Sequence, residues 1–330
     1  MIKEKDLGVV ACFYNPCKYE QKYLNLYKFL DNILPTVPNV LIVELLYQDE
    51  QTCLPSYVNS IQVYSDDVLW HKENLLNIGI KHLLNEGYKN IAWLDADIVF
   101  HSRCWQEETV ACLKENKLCQ LFSSVSKLHN HLDSKLNYGC VQHWLDSGSI
   151  LPSNGSYHTG LGWAARSEVL SECNLYQNSI VGGGDSLLWL SSCPKRHNLY
   201  RMMLNHPISI LNINGYLIDF FNWAEQWNKI IDGSVSNIKG TVESLPHGSK
   251  ENRTYISRYE MLKRHDYTPS KNIYYKNNVI HCSNPKLNTE IVKYFQSRNE
   301  DDLNFFTKIY NKILNKNKLN ELIQIEKKLV

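Results

Sequence analysis

Ile91-Ala92-Trp93-Leu94-Asp95-Ala96-Asp97-Ile98-Val99-Phe100 is an apolar run broken only by two carboxylates. Two acids amid so much hydrophobic sequence are costly unless a cation or another partner compensates them, which makes Asp95-Ala96-Asp97 the expected chemical centre of the chain. In an extended backbone residues i and i+2 project to one face roughly 6–7 Å apart, so at a strand end both side chains can address one divalent ion. Oxygen ligands favour a hard ion, Mn2+ or Mg2+. An isolated Asp-x-Asp is equally ordinary turn chemistry, and the flanking sequence decides between the two readings.

Working outward, apolar runs predict strands over 8–13, 40–46, 90–94 and 118–123, and helical spacing predicts helices over 20–33, 72–86 and 104–116. This alternation predicts an α/β fold with a largely parallel sheet flanked by helices. Ligands of such sheets bind at the carboxyl ends of the strands, where Asn15, Glu44 and Asp95 fall. Asn15, before Pro16, reads as a turn residue or as a donor contact. Glu44, after Leu41-Ile42-Val43, needs a partner, either structural or a nucleotide ribose. No Gly-x-Gly-x-x-Gly follows the first strand and no Gly-x-x-x-x-Gly-Lys-Ser/Thr occurs, so dinucleotide and P-loop readings lack their phosphate cradles.

Composition bounds the remaining classes. A chain of 330 residues with 43% hydrophobic content can bury one large core or two modest ones. Its 35 basic and 34 acidic residues leave a net charge of +1, so a nucleic-acid polymer is not an expected partner. The charged start Met1-Ile2-Lys3-Glu4-Lys5-Asp6 lacks the pattern of a signal peptide, and no stretch of 18 apolar residues would form a transmembrane segment. Ten cysteines are scattered without a Cys-x-x-Cys pair, the pattern of free thiols in a reducing compartment. A cytoplasmic location is the expectation, in which the sequons at Asn154 and Asn252 would stay unmodified.

Four further segments stand in order around the acidic pair. Upstream lies Trp70-His71-Lys72-Glu73-Asn74-Leu75-Leu76-Asn77-Ile78-Gly79; downstream come Gly160-Leu161-Gly162-Trp163-Ala164-Ala165-Arg166, then Val181-Gly182-Gly183-Gly184-Asp185, then Pro246-His247-Gly248. Together they resemble the metal-dependent nucleotide-sugar glycosyltransferases of the GT-A fold, most nearly the β-1,4-galactosyltransferase type and related family 2 enzymes. The resemblance covers about residues 7–265. It implies a catalytic domain over 1–285, with a donor half at about 1–125 and an acceptor half at about 126–285, and a helical C-terminal tail over 286–330.

The resemblance also implies roles. Asp97 would be a direct metal ligand, with Asp95 on the ribose or a metal-bound water, and His247 would complete the Mn2+ or Mg2+ site. The family usually carries a Met shortly before that His, where this chain has Leu245-Pro246. Lys72 and Asn77, with Asn15, Glu44 and Arg253, would contact a UDP-sugar donor; Lys250 and Arg258 are further cations able to clamp diphosphate oxygens, less suited than the rigid fork of Arg253. Asp185 is the candidate base for the attacking hydroxyl of a glycan or other acceptor, competing with a role as helix N-cap. It is the one acid where the galactosyltransferase segment carries several. Among Trp144, Tyr157, Trp163 and Trp189, Trp163 is the expected sugar-stacking residue, with His158 as a polar acceptor contact beside Asp146.

The implied activity is transfer of a hexose, galactose or N-acetylgalactosamine, with inversion. A nucleotidyltransferase acting on sugar phosphates, and a non-catalytic glycan- or nucleotide-binding protein, share the scaffold and stay open at this stage. Beyond residue 285, Ile291, Tyr294 and Phe295, then Leu303, Phe306, Ile309 and Ile313, recur at helical spacing, predicting two amphipathic helices that pack on the domain or join copies as a homo-oligomer.

Overall fold

The computed structural model describes residues 5–127, 137–150, 157–193, 206–249 and 251–302. The strands are β1 (Gly8–Phe13), β2 (Leu41–Tyr47), β3 (Ser60–Ser65), β4 (Asn90–Asp95), β5 (Ile98–Phe100), β6 (Leu118–Gln120), β7 (Ser124–Lys127), β8 (Asn137–Tyr138), β9 (Gly162–Arg166), β10 (Val235–Asn237), β11 (Thr241–Ser244), β12 (Ile273–Lys276) and β13 (Val279–Cys282). A seven-stranded sheet runs β10-β6-β9-β4-β1-β2-β3. Within it β1 pairs in parallel with β2 and β4, as do β2 with β3 and β6 with β10; only β9, between β4 and β6, is antiparallel to its neighbours. The architecture is mixed α/β with a mostly parallel central sheet, as the alternating pattern predicts.

Residue alternation puts a core on each face. Val10, Leu41 and Val43 belong to one buried cluster; Val9, Ala11 and Ile42 belong to the other. Every residue of β2 is buried, which suits a continuous apolar run covered on both sides. The described helices are α1 (Glu20–Ile33), α2 (Lys72–Asn85), α3 (Trp105–Glu115), α4 (Cys140–Ser147), α5 (Ser167–Glu172), α6 (Gly184–Ser192), α7 (Ile218–Ile231), α8 (Ser257–Arg264), α9 (Pro269–Asn272) and α10 (Pro285–Ser297). Gly79 explains the glycine of the upstream motif: a β-carbon there would collide with Val10 and stand 2.9 Å from a Val43 methyl, so glycine lets α2 lie close on β1 and β2. Ending α2 at Asn85 and opening it at Lys72 aims its first turn at the carboxyl ends of the strands.

The boundary expected at 285/286 falls inside the first turn of α10. Leu287, Ile291, Tyr294 and Phe295 are buried in the same cluster as Val10, so this helix is part of the main core. The residues after it reach further: Asp301 accepts from Gln21 N at 2.8 Å and Glu20 N at 3.2 Å, capping α1, whose own N-cap Tyr19 has no side-chain capping bond. The second expected helix, with Leu303, Phe306, Ile309 and Ile313, lies outside the described residues, as do Lys250 and Asn154. All ten cysteines are free thiols. Among the described residues no helix is long and apolar enough to cross a membrane.

Candidate active site

Two sheets meet at the acidic pair. β4 ends at Asp95, Ala96 and Asp97 form a turn, and β5 leaves to join a four-stranded sheet ordered β5-β11-β7-β8. The antiparallel pairing sets Ile98 opposite Ser244, and Leu245 N donates to Asp97 O at 2.8 Å. That register carries His247, two residues on, to Asp97: Nδ1 lies 3.4 Å from Oδ2. A cleft of about 750 Å³ opens there, lined by Lys72, Asp95, Asp97, His158, Asp185, His247 and Arg253 among others.

The turn separates the two carboxylates that an extended strand would have kept in line. Asp95 Oδ1 is 2.5 Å from Lys72 Nζ, and Oδ2 accepts from Leu161 N at 3.1 Å, so both oxygens are engaged within the protein. Asp97 turns to His247, and its buried Oδ1 has no hydrogen-bond partner among the described residues. Burial, reinforced by Asp95, pushes the Asp97 carboxyl up to about 7. Burial together with the charge of Arg253 pushes His247 down to about 3, so the imidazole is neutral. Its Nδ1 is 2.8 Å from the Leu245 carbonyl and must be the donor, which leaves Nε2 as the basic nitrogen.

Lys72 ties Asp185 to the end of β4. Its ammonium is 2.8 Å from Asp185 Oδ2 and 3.0 Å from Oδ1, besides the Asp95 contact. Burial acts to lower its pKa, but Asp185 and Asp95 outweigh that and hold it well above the ordinary lysine range. The Asp185 carboxyl is raised, by burial first, against the lowering effect of Lys72. Asp185 does not cap α6; the N-cap is Gly183, at φ 99°, and Asp185 sits one position inside the first turn. Gly182 and Gly183 both need the left-handed region that side chains avoid, and this turn swings Asp185 toward Lys72. Beneath it Glu73 is buried with Oε1 unpartnered, and burial raises its carboxyl to about 8, so it is protonated near neutral pH.

Four sequence candidates do not line the cleft. Asn15 closes a turn, donating to Tyr19 O at 2.9 Å and accepting from Tyr19 N at 3.0 Å. Glu44, 1% exposed, is satisfied by the Thr52 hydroxyl and Cys53 N, which supplies the structural partner its strand position demands. Asn77 clamps Leu175 through its backbone N and O. Trp163 is 1% exposed, donates from Nε1 to Thr159 O and stacks on Trp189 at 6.4 Å, so it is core rather than a sugar platform. Its strand position explains this: β9 lies between β4 and β6, and Trp163 pairs with Trp93. The aromatics the cleft does present include Trp70 and Tyr157. Lys22, Arg298 and Glu300 also line it, and no local pattern in the sequence marks them.

No family model and no curated protein matches the chain. Solved structures do. The fold resembles that of nucleotide-diphospho-sugar transferases. One is the catalytic domain of Drosophila beta1,4-galactosyltransferase 7 in complex with xylobiose, at 10% identity and a TM-score of 0.30, covering 56% of this chain and 59% of that one. This chain therefore spans about three-fifths of that protein's structure. Another is glucosyl-3-phosphoglycerate synthase from Mycobacterium tuberculosis with Mn2+, UDP-glucose and phosphoglyceric acid, at 12% identity and TM-score 0.41, covering 84% and 86%. A third is 4-diphosphocytidyl-2C-methyl-D-erythritol synthase from Anaerococcus prevotii, at 13% identity and TM-score 0.35, covering 78% and 96%. The neighbours are thus both glycosyl- and nucleotidyltransferases.

Proposed function

We propose that the chain is a metal-dependent glycosyltransferase that moves a hexose from a UDP-sugar to a hydroxyl acceptor with inversion. The observation that carries this is the buried, unpartnered Asp97 Oδ1 beside a neutral His247, in one cleft with Asp185 held by Lys72. The Asp97 carboxylate suits Mn2+ or Mg2+, ions that protein sites hold with one or two side chains while substrate phosphates fill other positions, and Nε2 is the His247 nitrogen left free to join it. Such an ion, held by Asp97 and His247, would supply positive charge toward the diphosphate and the departing UDP.

The remaining work falls to the protein. Arg253 donates to His247 O at 3.1 Å and to the Tyr255 hydroxyl at 3.0 Å, placing its guanidinium on the Asp97 side, where it can pair with diphosphate oxygens. Lys72 orients Asp185 and binds Asp95, fixing the acid that would take the acceptor's proton. Burial raises the proton affinity of Asp185 in the direction a base requires. Release of UDP, rather than pyrophosphate, separates this chemistry from nucleotidyl transfer.

UDP is expected to raise the melting temperature strongly with Mn2+ and little with chelator, and Asp97→Ala should erase that difference. Equal stabilisation in both conditions would remove the metal from the site. A second outcome follows from linkage. The Asp97 carboxyl is near 7 when folded against 3.8 when free, so the folded state keeps an extra proton between those values. The stability this gives is complete below about pH 4 and is lost as the pH rises through about 7. Without metal, Asp97→Asn should therefore melt above the parent protein at about pH 8 and converge with it toward pH 4; adding Mn2+ at about pH 8 should reverse the order. Parallel melting curves at all pH values would contradict the raised carboxyl.

A further inference from the structure

The arginines lining the cleft are not equivalent. Arg298 is neutralised by Glu300, with Nε and Nη2 each 2.6 Å from Oε1, and lies over Trp70 at 5.2 Å. Arg253 also leaves a buried Nε without a partner among the described residues, but it faces the Asp97 side through His247. Arg258 shares the Tyr255 side chain with Arg253 but turns its fork to a different segment: a β-carbon on Gly182 or Gly183 would stand 3.1 Å from its Nη1 or Nη2, so its fork rests on the backbone that leads into Asp185. It is 8% exposed, its buried Nε has no hydrogen-bond partner, and among the described residues no carboxylate forms an ion pair with it. The rings of Tyr259 and Tyr255 lie 5.1 and 5.2 Å from the guanidinium carbon, and the hydroxyls of Tyr294 and Tyr259 accept hydrogen bonds from the side chain.

A guanidinium taken out of water without a counter-charge is costly, and neutral tyrosine rings and hydroxyls offset only part of that. An anion delivered to the cleft would complete it. The position selects which substrate brings the anion, because Arg258 adjoins the Asp185 loop whereas Arg253 adjoins Asp97. We propose that Arg258 binds a phosphate or carboxylate carried by the acceptor, so that the substrate class is a small anionic hydroxyl compound whose hydroxyl is presented to Asp185. This rests on reading the cleft as a glycosyltransferase site, and it reassigns Arg258 from the donor diphosphate to the acceptor.

Calorimetric titration of the full chain with glycerol 3-phosphate, glycerate and glycerol tests it, each with and without saturating UDP and Mn2+. One of the two anions should bind at least tenfold more tightly than glycerol, and the tighter arm identifies phosphate or carboxylate as the recognised group. UDP should not displace it. Arg258→Met keeps the apolar stem and should weaken the anion at least tenfold, while Arg258→Lys should restore part of the loss; melting curves of both variants establish that they fold. Binding by Arg258→Met equal to the parent, displacement by UDP, or no preference for either anion over glycerol would overturn the assignment. If UDP and Mn2+ fail to bind the parent protein, the donor reading falls, and the ratio between parent and Arg258→Met for the anion still decides the role of Arg258.

Discussion

Asp185→Asn is expected to lower sugar transfer by a factor on the order of 10² or more. Asparagine keeps the shape of the side chain but cannot accept the acceptor's proton, and it gives Lys72 a neutral oxygen in place of the two that now lie 2.8 and 3.0 Å away. The effect should fall on kcat, with UDP binding in Mn2+ close to that of the parent, because the hydrogen bonds of Asp185 run to Lys72 whereas Asp97 and Arg253 contact His247. Some thermal stability should be lost with the ion pair. Product analysis from an α-linked donor should show a β linkage. Retention of most of the transfer rate, or an α-linked product, would sink Asp185 as the base while leaving the metal and donor site standing.

Lys72→Met should be the most destabilising change in the site, on the order of 3 kcal/mol at neutral pH. It leaves Asp95 and Asp185 facing one another with their shared cation gone, in a pocket where their side chains are 23% and 27% exposed. With the lowering charge of Lys72 gone, burial and the neighbouring Asp95 hold the Asp185 carboxyl further above its unfolded value. A raised acid is stable when protonated and loses that stability as the pH rises through its folded value, so the deficit relative to the parent should shrink as the pH falls. Urea denaturation at about pH 5 and pH 8 reads this. A deficit independent of pH would mean that packing of the lysine stem, rather than charge, sets the cost.

The sequence by itself determined the repeating units of this fold. Apolar runs placed β1, β2 and β4, and helical spacing placed α1, α2 and α3 within a residue or two, because each element must bury one face and its period follows from backbone geometry. The acidic pair was legible for the same reason: carboxylates inside an apolar run demand a partner. Lys72, Asp95, Asp97, His158, Asp185, His247 and Arg253 were singled out and do share one cleft.

The tertiary structure decided which partner each acid takes. A turn at Ala96 and Asp97 sends the two carboxylates to different neighbours, one to Lys72 and one to His247, and the second neighbour arrives through the register of β5 with β11. Glu44 finds its partner only eight and nine residues on, in Thr52 and Cys53, so a strand position alone could not tell a structural acid from a ligand contact. Trp163 follows Gly162 like a loop aromatic, yet pairing of β9 between β4 and β6 buries it. Arg298 and Glu300 lie in a stretch with the local pattern of a tail and reach the cleft because α10 folds back into the main core. Periodicity reports which face of an element is buried; it carries no information about which distant side chain will stand opposite, because that follows from strand order and register, which are properties of the assembled sheet.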